Sequence, residues 1–425
     1  MISEPQLLRK ITIRLIPFMF LLYIVAYLDR VNVSYAALQM NAALGFSSQI
    51  YAIGAGIFFI GYFLFEVPSN LILHRVGARL WMARILVTWG ILSSAMMLVK
   101  GIVSFYVLRF LLGIAEAGFF PGMILYLTYW FPSHARGRAV GRFMTATAIA
   151  GAIGSPISGL LLGLNGVRGL GGWQWLFLIE GIPAVILGVV TLVYLPDGPT
   201  RAKWLNTEEK KWIAETLERE RSQTAGHGAH SMRDALGSSR VWTFAAIYFA
   251  VIMSFYGVTF WLPQIVKAFS GATDLVVGMI SALPWIAATI GMVLISRNSD
   301  LTRERRFHVA LSAITGSVGL IAAGVVHNPV LELAALSLAA IGIWGTLGPF
   351  WALSSESLAG TGAAAGIALI NSVGNLGGFL GPYLVGWIRD NTESFAIALI
   401  ALAMFPLTGA VITLLSRHAA SRLRT

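Results

Sequence analysis

The sequence predicts an all-α membrane protein of twelve transmembrane helices in two pseudo-symmetric six-helix bundles, and three observations predict it. The chain is 57% hydrophobic and 12% charged, with a mean hydropathy of +0.75, whereas a soluble globular chain carries about 25% charged residues. Apolar runs long enough to cross a bilayer, about 20 residues each, recur along nearly its whole length. One long polar stretch, 196–240, divides those runs six and six.

The spans fall near 13–37, 48–71, 80–99, 103–130, 139–164 and 173–195 before the polar stretch, and near 241–266, 275–296, 308–326, 330–353, 361–388 and 394–416 after it. This gives an N-terminal bundle over 1–195, a linker over 196–240 and a C-terminal bundle over 241–425. The net charge of +11 comes from topology. With the N-terminus inside, 24 of the 30 Lys and Arg residues fall in inside segments, among them Arg75, Arg79, Arg136, Arg138, Arg142, Arg305 and Arg306. Four fall outside, namely Lys100, Arg168, Lys267 and Arg389, and two, Arg30 and Arg109, lie within spans. That asymmetry places both termini in the cytoplasm. It argues against a nucleic-acid partner, because no basic soluble domain exists. There is no cysteine, so disulfide, metal–thiolate and thiol chemistry are excluded. The first apolar run outlasts a signal peptide's and lacks a small-residue cleavage site.

Within the linker, Asn206 or Thr207 can cap a short helix whose first turn holds Glu208 and Glu209. Ile213 and Leu217, with Trp212, give it an apolar face suited to lying on the cytoplasmic side. His227 and His230 are two ligands at most, too few for a metal. A shift of 226 residues lays "LHRVGAR" (73–79) on "SDLTRER" (299–305) and Pro156 of "GSPISG" on Pro382 of "FLGPYLVG", as two related halves require. The same shift carries Asp29 to Phe255, Arg30 to Tyr256, Glu66 to Met292, Arg109 to Ala335, Glu116 to Gly342 and Glu180 to Pro406. Intramembrane charge therefore belongs to the N-terminal half, as a coupling site on one side of a central cavity would need.

A charge at the bilayer centre costs about 2.5–3.5 kcal/mol on insertion scales, so it faces a partner, water or the bundle interior. Asp29 and Arg30, in "AYLDRVNVSY", are adjacent and point about 100° apart on a helix, so each needs another neighbour. Tyr27 shares the face of Arg30. In "LRFLLGIAEAGFFPG", Arg109 and Glu116 lie on one face roughly 10 Å apart, with room between them for an anion or a side chain from the first span. A carboxylate whose cationic partner comes and goes can bind and release a proton. Glu66 in "FEVPSN" and Glu180 in "LIEGIP" lie nearer helix ends and beside prolines, and read as structural or gating groups. Asn371 and Asn375, four apart, are candidates for polar substrate contacts; Trp344 and Trp351 suit a cavity wall or core packing equally. "GAIGSP" and "NSVGNLGGFLGP" suit close helix approach.

"YLDRVNVS", "FEVPSNLILHRVGAR", "RFLLGIAEAGFFPG", "WQWLFLIEGIPA" and "SDLTRERR", set in twelve spans, resemble the anion:cation symporter family of the major facilitator superfamily over nearly the whole chain. The resemblance implies an importer of a small organic anion with protons by alternating access. A tartrate-like or sugar acid is preferred, with an aromatic carboxylate as the alternative. It implies that Arg30 meets the substrate carboxylate beside Tyr27 and Tyr62. Arg109, Trp351, Asn371, Asn375 and Thr147 are the further substrate contacts, and Asp29 and Glu116 the protonatable acids. Thr147 stands where some sugar-acid carriers use glutamine. Asn70 replaces the glycine of the superfamily turn motif, and His74 its aspartate.

No cofactor beyond the coupling proton is expected, and no metal. The expected partners are a small organic carboxylate and the lipid bilayer, with the chain a monomer in a bacterial inner membrane. A cation exporter would not place an arginine at its centre. An enzyme would need a nucleophile–base or His/Asp cluster within a span, and none appears. A channel fits neither the lopsided charge nor the repeat.

Overall fold

The structure is a computed structural model describing residues 4–132, 135, 145–225, 232–358 and 363–416. The basic residues Arg136, Arg138, Arg142, Arg417, Arg422 and Arg424, and the histidines His227 and His230, lie outside them. The N-terminal bundle comprises α1 (Glu4–Leu44), α2 (Ser48–Val76), α3 (Ala78–Ala95), α4 (Ile102–Glu116), α5 (Phe119–Thr128), α6 (Ala146–Leu162) and α7 (Gly172–Tyr194). The linker holds α8 (Thr207–Ala225) and α9 (Met232–Gly237). The C-terminal bundle comprises α10 (Ser239–Ser270), α11 (Asp274–Thr302), α12 (Arg306–Val325), α13 (Pro329–Ser357), α14 (Ala363–Thr392) and α15 (Phe395–Leu415). Among the described residues, ten helical segments are long and apolar enough to cross a membrane, with α4 and α5 counted as one. The apolar α6 and the Gly- and Asn-bearing α14 complete twelve spans. The fourth span thus differs from the sequence expectation: it is two helices, broken at Ala117–Gly118.

The caps follow the sequence. Ser47 accepts from the Ile50 N–H at the start of α2, and Asn328 from Val330 and Leu331 at the start of α13. Asn206 and Glu209 close a reciprocal capping box on α8. That helix buries Ile213 and Leu217. Its Glu209 pairs with Lys10 of α1 at 2.8 Å, while Trp204 stacks on Trp130 at 5.5 Å.

The two bundles meet mainly on the face opposite the chain termini. There Gln39 donates to Asp274 at 2.8 Å and Tyr51 donates to the Phe260 carbonyl at 2.7 Å. Asp390, at the end of α14, accepts the Ser48 and Gln49 backbone N–H groups at 2.9 and 2.8 Å, so it holds the positive end of α2 across the interface. α6 and α11 come almost into backbone contact: a Cβ on Gly278 would lie 2.5 Å from the Ser155 carbonyl oxygen. Toward the terminal face, among the described residues, Asn371 donates across the bundles to Glu66 at 3.3 Å.

Charge at a helix N-terminus contributes about 0.3–1 kcal/mol, so Asp390→Asn is expected to raise the population open at the far face about two- to fivefold. The chain has no cysteine, so spin labels on Ala43→Cys and Asn391→Cys report that opening by their distance distribution. An unchanged distribution would show that Asp390 does not hold the face shut.

Candidate functional site

Between the bundles lies a cavity with an empty volume of about 720 Å3, its mouth included. Tyr23, Tyr27 and Arg30 reach it from α1, at the spacing of one helix face. Phe58, Phe59 and Tyr62 come from α2, Phe120 from α5 and Thr147 from α6. The opposite wall is Tyr248, Ile252, Phe255 and Tyr256 of α10, Met292 of α11, Leu347 of α13, and Asn371 and Asn375 of α14.

Arg30 dominates the cavity electrostatically. Its Nε and Nη2 both donate to Glu116 Oε1, the Nε at 3.1 Å, and its Nη1 donates to the Tyr256 hydroxyl at 3.3 Å. The Phe58 and Tyr62 rings lie 5.6 and 5.7 Å from the guanidinium carbon, within cation–π range. Glu116 is the last residue of α4, and the break behind it has a local cause. Gly118 has φ +83°, and a Cβ there would meet Ser69 Oγ at 2.4 Å, so no side chain fits. The break leaves Glu116 at the negative end of a half-helix, where a carboxylate is disfavoured, and Arg30 is the cation that compensates it. A guanidinium held this way can exchange one carboxylate for another, and neutralising Glu116 releases two of its donors.

A scan of protein-family models matches residues 19–382 to the Major Facilitator Superfamily. The chain belongs to that superfamily. It is 52% identical to a protein of Agrobacterium vitis named "Putative tartrate transporter", over 98% of this chain and 96% of that one. It is 43% identical to a quinolone resistance transporter of Acinetobacter baumannii, over 96% and 94%. The fold matches a bacterial homolog of the human lysosomal transporter Spinster, solved inward-facing and unoccupied, with TM-score 0.77 at 18% identity over 98% of both chains. The motifs and the tartrate relatives fit the superfamily's anion:cation symporter family.

In this superfamily member, Arg30, Tyr27, Tyr62, Thr147, Asn371 and Asn375 all line the cavity, and Glu116 reaches it through Arg30. Tyr27 also stands edge-on to Trp285 of the other bundle, and Asn371 donates to Glu66. Arg109 and Trp351 are not brought to the cavity wall. Arg109 is fully buried and donates to the Gly54 and Ala55 carbonyls of α2 at 3.1 and 3.0 Å. Trp351 packs behind Tyr248, ring centroids 4.9 Å apart. Asp29 points away from the cavity, as the rotation between adjacent helical residues requires, and accepts from Ser93 at 2.8 Å. Tyr23, Tyr248 and Tyr256 carry no sequence motif. Tyr256 alone has a signal, because it is the 226-residue counterpart of Arg30. The two counterparts touch across the cavity.

Proposed function

We propose that the chain carries a small organic anion, a tartrate-like or sugar acid, together with protons by alternating access. One observation supports this most directly: the cavity's guanidinium already grips a carboxylate, that of Glu116. A substrate carboxylate takes that place when Glu116 is protonated. The Tyr256, Tyr27 and Tyr62 hydroxyls and the Asn371 and Asn375 amides are then available to substrate hydroxyls. Asp29 is the second protonatable acid. The halves 1–195 and 241–425 rock about the cavity, joined by 196–240. With both termini cytoplasmic, as the positive-inside rule argues, the closed far face makes this conformation inward-facing. The setting is a bacterial inner membrane.

An aromatic carboxylate is the second reading. Nine of the sixteen lining residues are Phe or Tyr, and one relative is named for quinolone resistance. An organic cation would meet Arg30 as a repelling charge. Labelled L-tartrate, galactonate and benzoate, each offered to proteoliposomes with an imposed pH gradient, decide between the readings. Uptake of benzoate alone would replace the first by the second, and uptake of none of the three would reject both.

Stoichiometry is read from the membrane potential. Two protons with a monocarboxylate move one positive charge inward, so a negative interior assists by about 2.3 kcal/mol per 100 mV. Two protons with a dicarboxylate such as tartrate are electroneutral. At a fixed pH gradient, a potassium–valinomycin potential is therefore expected to drive galactonate uptake and leave tartrate uptake unchanged. Galactonate uptake indifferent to potential would mean that one acid cycles, not two.

A further inference from the structure

Behind the cavity, between α1 and the outer helices of its bundle, lies a second buried acid site. Asp29 is 0% exposed and Glu180 is 6% exposed. Asp29 Oδ1 accepts from the Ser93 hydroxyl at 2.8 Å and from Asn32 Nδ2 at 3.4 Å. Glu180 Oε1 accepts from the Ser158 hydroxyl at 2.7 Å. Asn32, one helical turn beyond Asp29, also faces Glu180.

Three acceptor oxygens here, Asp29 Oδ2, Asn32 Oδ1 and Glu180 Oε2, are buried and have no protein donor. The buried Trp89 indole N–H lies beside Asp29 as a further donor toward its carboxylate. The groups acting on Asp29 are Ser93 and Trp89 of α3, Asn32 of α1, Glu180 of α7 and Glu116 of α4; those acting on Glu180 are Ser158 of α6 and Asn32. None of them is a cation. Arg30, the nearest in sequence, is turned to the cavity and held by Glu116 and Tyr256. Two bare carboxylates in apolar surroundings with no counter-charge are far costlier than a protonated pair. A proton on Glu180 Oε2 makes it a donor for Asn32 Oδ1, whose amide already donates to Asp29, so one proton connects the group.

We propose that Asp29 and Glu180 form a single proton-holding pair bridged by Asn32, with Glu180 as an acid of the coupling machinery and not a helix-end support. The coupling role rests on the symport reading above; the shared proton does not. Glu180 touches neither cavity nor substrate, so it acts on transport through Asp29.

The test is infrared titration of the full-length protein in lipid vesicles without substrate, following the carbonyl stretch of protonated carboxylic acids. Wild type is expected to carry such a band at neutral pH, lost in part in Asp29→Asn and in Glu180→Gln. Each substitution removes a neighbouring negative charge, so the remaining acid's midpoint should fall by about one pH unit or more, the mark of coupled sites. Ser158→Ala, a milder change, should move both carbonyl features together. Midpoints that ignore the partner's removal, or a Ser158→Ala shift confined to one feature, would overturn the pair. Displacement of the band when sodium replaces potassium would overturn it in favour of a sodium site. Joint titration alongside tartrate uptake that ignores pH would uphold the pair and reject the symport reading.

Discussion

Arg30→Lys is expected to lose most transport while the protein still folds and inserts. Lysine keeps the positive charge and a similar stem, so the membrane cost of the position hardly changes. It cannot keep the geometry. In the wild type one planar group reaches Glu116 through two nitrogens and Tyr256 through a third; an ammonium is a point charge with no planar fork. Hydrogen bonds to charged groups contribute about 1.5–3 kcal/mol each, so losing one predicts a fall in substrate affinity on the order of 10- to 100-fold. The check is labelled tartrate uptake into proteoliposomes at matched protein density, with equilibrium binding measured beside it. Near-wild-type uptake by Arg30→Lys would remove Arg30 from the binding role.

The architecture was readable in the sequence because its causes are long-range averages: apolar runs of bilayer length, basic residues sorted to one side, a polar stretch dividing them. The break in the fourth span was not, because "EAGFF" sits inside an apolar run and becomes a break only where Gly118 meets Ser69 of α2. Arg30 and Glu116 were readable as charges that need partners. Their partnership was not, since 86 residues separate them and helix packing alone joins them. Arg109 illustrates the opposite outcome. Its spacing from Glu116 leaves room for an anion, yet its Nε and Nη2 are turned to the Gly54 and Ala55 carbonyls, because small residues let α2 and α4 approach closely. The Asp29 surroundings were invisible for a similar reason. Ser93 and Ser158 are single hydroxyls on apolar helices, and neither carries a motif.

The contact between Arg30 and Tyr256 links the internal repeat to the site. Residues at matching positions of two related halves lie on opposite sides of the pseudo-symmetry axis, so they meet only if the axis passes between them. Here the N-terminal copy carries the charge and the C-terminal copy a hydroxyl that accepts from it. The rest of the C-terminal wall of the cavity is uncharged: apolar side chains, the Tyr248 phenol and the Asn371 and Asn375 amides. In the proposed mode, an anion held by Arg30 finds its charge partner on the N-terminal half alone and neutral hydrogen-bond partners on both. In the proposed cycle, rocking that separates Arg30 from Tyr256 would change the grip on the substrate without moving a charge between the halves.

Glu116→Gln is expected to abolish proton-driven accumulation and to spare exchange. Glutamine is close in shape to the neutral acid, so the variant mimics a permanently protonated Glu116. Arg30 then loses its internal carboxylate and stays open to the substrate's. In the wild type, ionised Glu116 competes for Arg30, so substrate binding should weaken as pH rises and Glu116 loses its proton. In the variant that pH dependence should flatten, with affinity at alkaline pH above the wild type's. Each pH unit across the membrane supplies about 1.36 kcal/mol per proton, about tenfold in accumulation, and the variant should forfeit the share carried by this acid. Exchange of labelled for unlabelled tartrate needs no net proton movement and should persist, which separates loss of coupling from loss of folding. The measurements are accumulation under an imposed pH gradient, counterflow without one, and binding as a function of pH. A variant that still concentrates substrate with a wild-type pH dependence would show that the Glu116 carboxylate is only a tether for Arg30. The coupling proton would then have to be sought at Asp29 and its neighbours behind α1.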